Sequence, residues 1–196
     1  MTDTQSLMDT STKFGRKRSR RSKNYRDQSA IDAGSDDVHV RIAKPEDIEG
    51  IMELARLVNE ENGIYPMDLK KVAQMMLPSL YKEGGIVGVI GPKDKVEAGI
   101  LLRISSLWYA DKPFLEEMSL FVHPDYRSAR GGRASKLIEF AKKCATELGM
   151  PLMIGVLSND RTSAKVRMYE KRLGSPVGAF FLWGAKTGQD VVDEKE

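Results

Sequence analysis

SLFVHPDYRSARGGRASKLIEFA, residues 119–141, runs from an apolar strand through a loop rich in arginine and glycine into an amphipathic helix. The first turn of a helix leaves backbone N–H groups unpaired and carries partial positive charge. Gly131 and Gly132 remove side chains that would block close approach to those groups. A strand, a glycine loop and a helix start in this order form a cradle for a pyrophosphate, and Arg127, Arg130 and Arg133 add positive charge around it. Glycines at a helix start also serve as plain tight turns, so the rest of the chain has to decide.

Working outward, FLEEMSLFV (114–122) is the strand that enters the loop, and the helix continues to about Leu148, where Gly149 stops it. Upstream, Val38, Val40 and Ile42 alternate with His39 and Arg41 as in a half-buried strand. A helix follows from Pro45, with acids in its first turn, and a second spans Met67 to Tyr81, which Pro78 should end or kink. IVGVI (86–90) and VEAGILLRIS (96–105) read as antiparallel strands. Downstream, PLMIGVL (151–157) is apolar throughout, as for a strand covered on both faces. A helix over 161–172 and a last strand, VGAFFLW (177–183), complete the pattern. The order β-α-α-β-β-β-α-β-α-β predicts an α/β (α+β) domain with a mixed, mostly antiparallel sheet and helices on both faces.

Residues 1–37 are nearly devoid of aliphatic side chains and cannot offset the entropy of ordering, so a disordered tail is expected there. Within it, 13–26 (KFGRKRSRRSKNYR) holds eight Lys or Arg and no acid, against a net charge of only +3 for the whole chain. Two readings stand for this block: an arm for nucleic acid or another acidic partner, or a solvated tail. The expected domain covers 38–186, followed by a polar stretch over 187–196. Cys144 is the only cysteine and sits among apolar helix positions, which excludes an internal disulfide and a cysteine-built zinc site. His39 and His123 are too few for a metal centre. With no apolar run near the ~20 residues of a membrane span and no secretory signal pattern, a cytoplasmic, metal-independent protein is expected.

The stretch VHPDYRSARGG resembles the signature of the GNAT superfamily of N-acyltransferases, a strand ending V-x-P-x-Y followed by [Q/R]-x-x-G-x-[G/A] and a helix. Val122, Pro124, Tyr126, Arg127 and Gly132 match it, while Arg130 stands where the pattern has its first glycine. VRIAKPEDIEGIMELA (40–55) is similar to the superfamily's opening, and VRMYEKRLG (166–174) to its Y-E-K-x-G helix end. The resemblance implies transfer of an acetyl group from acetyl-CoA to an amine by direct attack. It assigns the thioester and pantetheine arm to backbone amides at Leu120, Phe121 and Val122. The pyrophosphate falls to the loop Arg127, Ser128, Ala129, Arg130, Gly131, Gly132 and Arg133. Tyr169 matches the helix tyrosine that acts as general acid, although a core aromatic under the last strand would look the same. Asn159 resembles the asparagine found after the coenzyme strand; it or Asp160 could equally be a helix N-cap.

For the general base the resemblance points to Glu116. Neighbours on a strand face opposite ways, so at most one of Glu116 and Glu117 reaches the site. With Glu60 and Glu61 in the loop after the first helix, an acidic cleft is expected. It would suit a basic amine such as a lysine side chain, a protein N-terminus or a polyamine. The competing reading is a GNAT-fold binding protein without catalysis, recruited to nucleic acid or an assembly through its basic tail.

Overall fold

The computed structural model describes residues 38–127, 132–158 and 162–184. The expected tails over 1–37 and 187–196 lie outside the described residues. The described elements are β1 (Arg41–Ile42), α1 (Ile48–Asn62), α2 (Leu69–Leu80), β2 (Gly85–Ile90), β3 (Ala98–Ser106), β4 (Pro113–Val122), α3 (Arg133–Leu148), β5 (Leu152–Ile154) and α4 (Thr162–Leu173). The five strands form one sheet in the order β1-β2-β3-β4-β5. Every pairing is antiparallel except β4 with β5, which is parallel.

Alternation on the strands feeds two cores, one on each face. Ile100, Leu102 and Leu115 pack with Leu137, Ala141 and Cys144 of α3. Val87, Val89 and Leu101 pack on the other face with Ile51 and Leu54 of α1 and Met76 and Leu80 of α2. Helices on both faces, as expected, thus follow from period-2 strands meeting period-3.6 helices. Pro78 does lie inside α2, but the helix closes only two residues later, with Tyr81 N–H donating to Leu77 O at 3.2 Å. A proline so close to the end removes one ladder bond without a following helix to kink.

The predicted last strand over 177–183 is absent. Residues 174–184 run without strand pairing, and Val177, Phe180, Phe181, Leu182 and Trp183 are exposed. A strand exists through its ladder, and β5 offers a paired length of only three residues beside this segment.

Entry into the fold is fixed by one ion pair. Asp47, only 2 % exposed, accepts from Arg41 Nη1 and Nη2 at 2.8 and 2.7 Å and from the Lys44 N–H at 2.8 Å. The Arg41 guanidinium, outweighing the cost of burial, holds the Asp47 carboxyl below its usual range. The pair ties β1 to the turn that opens α1. Asp47→Ala should destabilise the domain by about 3 kcal/mol, the low end for breaking a buried pair because Arg41 is partly exposed. A depressed carboxyl contributes fully above its unfolded pKa and loses that contribution as pH falls through the folded one. The deficit in denaturant unfolding should therefore shrink in acid. An unchanged deficit at low pH would assign the loss to packing.

Candidate active site

The site begins with an extra residue on β4. Leu101 of β3 faces Ser119, yet Leu102 faces Glu117, so Met118 is left without a partner as a β-bulge. A bulge resets the alternation of the strand that carries it. Glu117, across from core Leu102, and then Leu120 and Val122 therefore share the α3 face of the sheet. Phe121 turns instead to the α1–α2 face.

The bulge also marks where the sheet opens. β4 and β5 pair only from Leu115↔Leu152 to Glu117↔Ile154, after which β5 ends while β4 runs on to Val122. β3 stays paired with β4 throughout, up to Ala98↔Val122. The distal end of β4 is thus held on one edge and released on the other. A cavity of about 410 Å³ occupies that notch, lined by Leu120 and Val122, by Gly132 and Ser135 at the start of α3, and by Met168 and Tyr169 of α4. Val58 and Asn62 close it from α1.

α3 opens on Gly132 with φ +54° and ψ 50°, left-handed backbone that a side chain would strain by roughly 1 kcal/mol or more. No acid stands in its first turn, so its positive end is not neutralised locally. The motif's arginines behave differently from expectation. Arg133 is 3 % exposed; its Nη2 and Nε meet Glu97 Oε2 at 2.7 and 2.8 Å, and its guanidinium lies 4.5 Å from the Tyr126 ring centroid. Arg127 donates from Nε to Val122 O at 3.1 Å and from Nη1 to Glu61. Both border the cavity, but their charges are matched by carboxylates. Ser128, Ala129, Arg130, Gly131 and Asn159 lie outside the described residues.

The acid–base candidates are rearranged by one position. Glu116 faces Arg103 across the ladder, on the side where Arg103 Nη1 meets Met75 Sδ of α2. Glu117 is the carboxyl turned toward Tyr169. Burial, reinforced by the nearby Glu116 charge and opposed by the Gly155 N–H, pushes Glu117 up to about 8. Burial and then the Glu117 charge raise the Tyr169 phenol well above its ordinary value. Glu116 therefore gives way to Glu117 as the carboxyl beside the tyrosine, because the strand phase set at Leu115 turns Glu116 to the α2 face. The expected acidic cleft also loses two members, since Glu60 pairs with Arg56 and Glu61 with Arg127.

Lys165 and Met168, and separately Val58 and Asn62, were missed as lining residues, although Lys165 and Met168 share a helix face with Tyr169 and Val58 and Asn62 stand at i, i+4 spacing. Among the described residues no cluster of His, Cys, Asp and Glu could hold a metal ion, and no helix is long and apolar enough to cross a membrane.

No protein-family model and no curated protein matches the chain. Solved structures do. One is described as a possible acetyltransferase from Clostridium difficile 630, at 18% identity over 76% of this chain and 98% of that one, with a TM-score of 0.58. Another is AAC(6')-Iy in complex with the bisubstrate analogue CoA-S-monomethyl-acetylneamine, at 13% identity over 76% and 98%, with a TM-score of 0.57. A third is a GNAT family acetyltransferase of Staphylococcus aureus, at 10% identity over 74% and 97%, with a TM-score of 0.51. With nearly the whole length of each matched at such low identity, the likeness lies in the architecture, and this chain has the fold of the GNAT acetyltransferases.

Proposed function

We propose that this chain is an N-acetyltransferase that moves an acetyl group from acetyl-CoA to an amine. The observation that carries the reading is the cavity beside the distal end of β4, where β4 has parted from β5 after a bulge; the acid-free start of α3 and Tyr169 line it, and the charge of Glu117, on the same face of the sheet, reaches Tyr169. Acetyl-CoA supplies the activated acyl group. The edge of Leu120–Val122 that β5 does not reach suits the pantetheine arm, and the acid-free first turn of α3 suits the pyrophosphate. In the same proposal Ser128, Ala129, Arg130, Gly131 and Gly132 contribute loop amides, and Asn159 borders the coenzyme. Arg127 and Arg133 hold the loop in shape.

Glu117 takes a proton from the amine, whose nitrogen forms the C–N bond as the C–S bond breaks. Tyr169 gives its proton to the departing thiolate. Burial serves both roles, lifting the base toward neutral pH and keeping the acid protonated. The acceptor in this reading is a basic amine, met by the single carboxyl of Glu117, the one of the pair on the α3 face. Equal turnover of a neutral amine would overturn that part.

Acetyl-CoA at 100 times its Kd should stabilise the protein by about 2.7 kcal/mol, seen as a rise of several degrees in melting temperature. Absence of any shift at saturating coenzyme would reject the reading. Tyr169→Phe should lower kcat by about 10²–10⁴-fold while leaving acetyl-CoA affinity unchanged.

The rate should also climb as pH rises through about 8, where Glu117 loses its proton, and Glu117→Gln should abolish that limb while Glu116→Gln keeps it. The reverse pattern would return the base to Glu116. A carboxyl raised in the folded state contributes its stability below the unfolded pKa and loses it as pH rises through the folded value. Glu117→Gln should therefore gain stability relative to the parent between pH 5 and pH 9, as read by thermal melting.

A further inference from the structure

α4 carries the tyrosine assigned as the acid, yet none of its residues is fully buried. Its packed face consists of Lys165, Val166, Met168, Tyr169 and Arg172, all half-buried, at the i, i+3, i+4 and i+7 spacing of one helical stripe. A helix of 12 residues is marginal by itself in water, so contacts with other elements must keep this one in place. At its start, Thr162 Oγ1 donates to Ser158 O at 2.9 Å, four residues back, a bond that shapes the helix end without fastening it to another element. At its other end Leu173 is exposed.

Arg172 behaves differently. Its Nη2 donates to Ser135 Oγ at 2.5 Å, in the first turn of α3. Among the described residues it has no carboxylate partner, so its charge meets a neutral hydroxyl in a directional, charge-assisted bond. Arg172 follows Met168 by four residues and Tyr169 by three, and long side chains on a helix lean back over the preceding turn. Ser135 lines the same cavity as Tyr169, and its Oγ is 3.5 Å from where a Cβ on Gly132 would stand. The bond therefore joins the turn of α4 that bears the phenol to the turn of α3 that borders the cavity.

We propose that Arg172, through its bond to Ser135, is the positioning residue for Tyr169, fixing the α4 turn that bears the phenol against the start of α3. Without either partner that turn swings outward and water reaches the phenol. Burial is the first cause that holds the phenol's pKa above its ordinary value, so its titration reports where the ring stands. The inference rests on the proposed function for what Tyr169 does, but its position can be read without turnover.

The full chain labelled with 13C at tyrosine Cζ carries six such positions, and Tyr169→Phe identifies the signal of interest. An ordinary phenol, with a pKa near ~10, is largely ionised by about pH 11. Tyr169 of the parent should still be protonated there, whereas Arg172→Gln and Ser135→Ala should each let it ionise. Ser135→Ala deletes only the accepting hydroxyl and keeps the arginine stem in place. Lys171→Gln, which removes an exposed charge from the next position, should leave the titration unchanged. A Tyr169 that stays protonated in either clamp variant overturns the proposal, as does an equal change in Lys171→Gln. In turnover, Arg172→Gln should lower kcat by on the order of 10–10²-fold with the acetyl-CoA KM kept. It should cost nothing further in a Tyr169→Phe background, and equal losses in both backgrounds also overturn it. A parent that fails to bind acetyl-CoA while the titrations behave as expected keeps the clamp and rejects the enzyme reading.

Discussion

The single unpaired residue at Met118 governs the geometry of the site. Without it, strict alternation would put Glu117 on one face of β4 and Leu120 and Val122 on the other. With it, the carboxyl and the lining side chains stand on one side, toward α3 and α4. β3 follows β4 across the irregularity, so the strand stays anchored while its opposite edge parts from β5. A strand released on both edges would fray; one released on a single edge presents a fixed backbone edge to a cavity. This is the arrangement that can hold an extended ligand without building a site from loops alone.

The arginines of the motif show how charge is divided between structure and binding. A buried guanidinium is tolerated only when paired and hydrogen-bonded, and Arg133 has both Glu97 and the Tyr126 ring. Arg127 bridges the end of β4 to α1 through Val122 O and Glu61. These contacts tie the end of β4 to α1, and the start of α3 to the residue before β3. The helix start adds a positive potential that has a fixed direction and no rotamer entropy to lose.

Much of this was legible from residues alone, for reasons that also explain the failures. The strands β2 to β4 and the helix α3 follow from apolar periodicity that matches their final burial, and the start of α3 from Gly132. The bulge was not legible, because Met118 is as compatible with a regular strand as with an irregular one. That omission carries directly into the choice of Glu116 over Glu117: the strand phase at this point depends on what β3 and α3 demand. The carboxylate partners of Arg127 and Arg133 were not legible, because Glu61 and Glu97 are 66 and 36 residues away in sequence. VGAFFLW failed differently. Its composition is that of a strand, but a strand needs an edge, and the length of β5 is set by its pairing with β4.

Placing Glu117 and Tyr169 together in one poorly solvated spot has a consequence that neither residue would have alone. Desolvation disfavours the charged form of each, so both gain protons relative to water. For the tyrosine this removes any competition from phenolate at neutral pH. For the glutamate it means that a substantial part of the population is protonated near pH 8, and the ionised part is a stronger base than a solvated carboxylate. Ionisation of Glu117 in turn makes loss of the tyrosine proton harder. In the proposed reaction the state with an ionised Glu117 is therefore also the state in which Tyr169 holds its proton most firmly, so the same local field would set the two groups for opposite transfers.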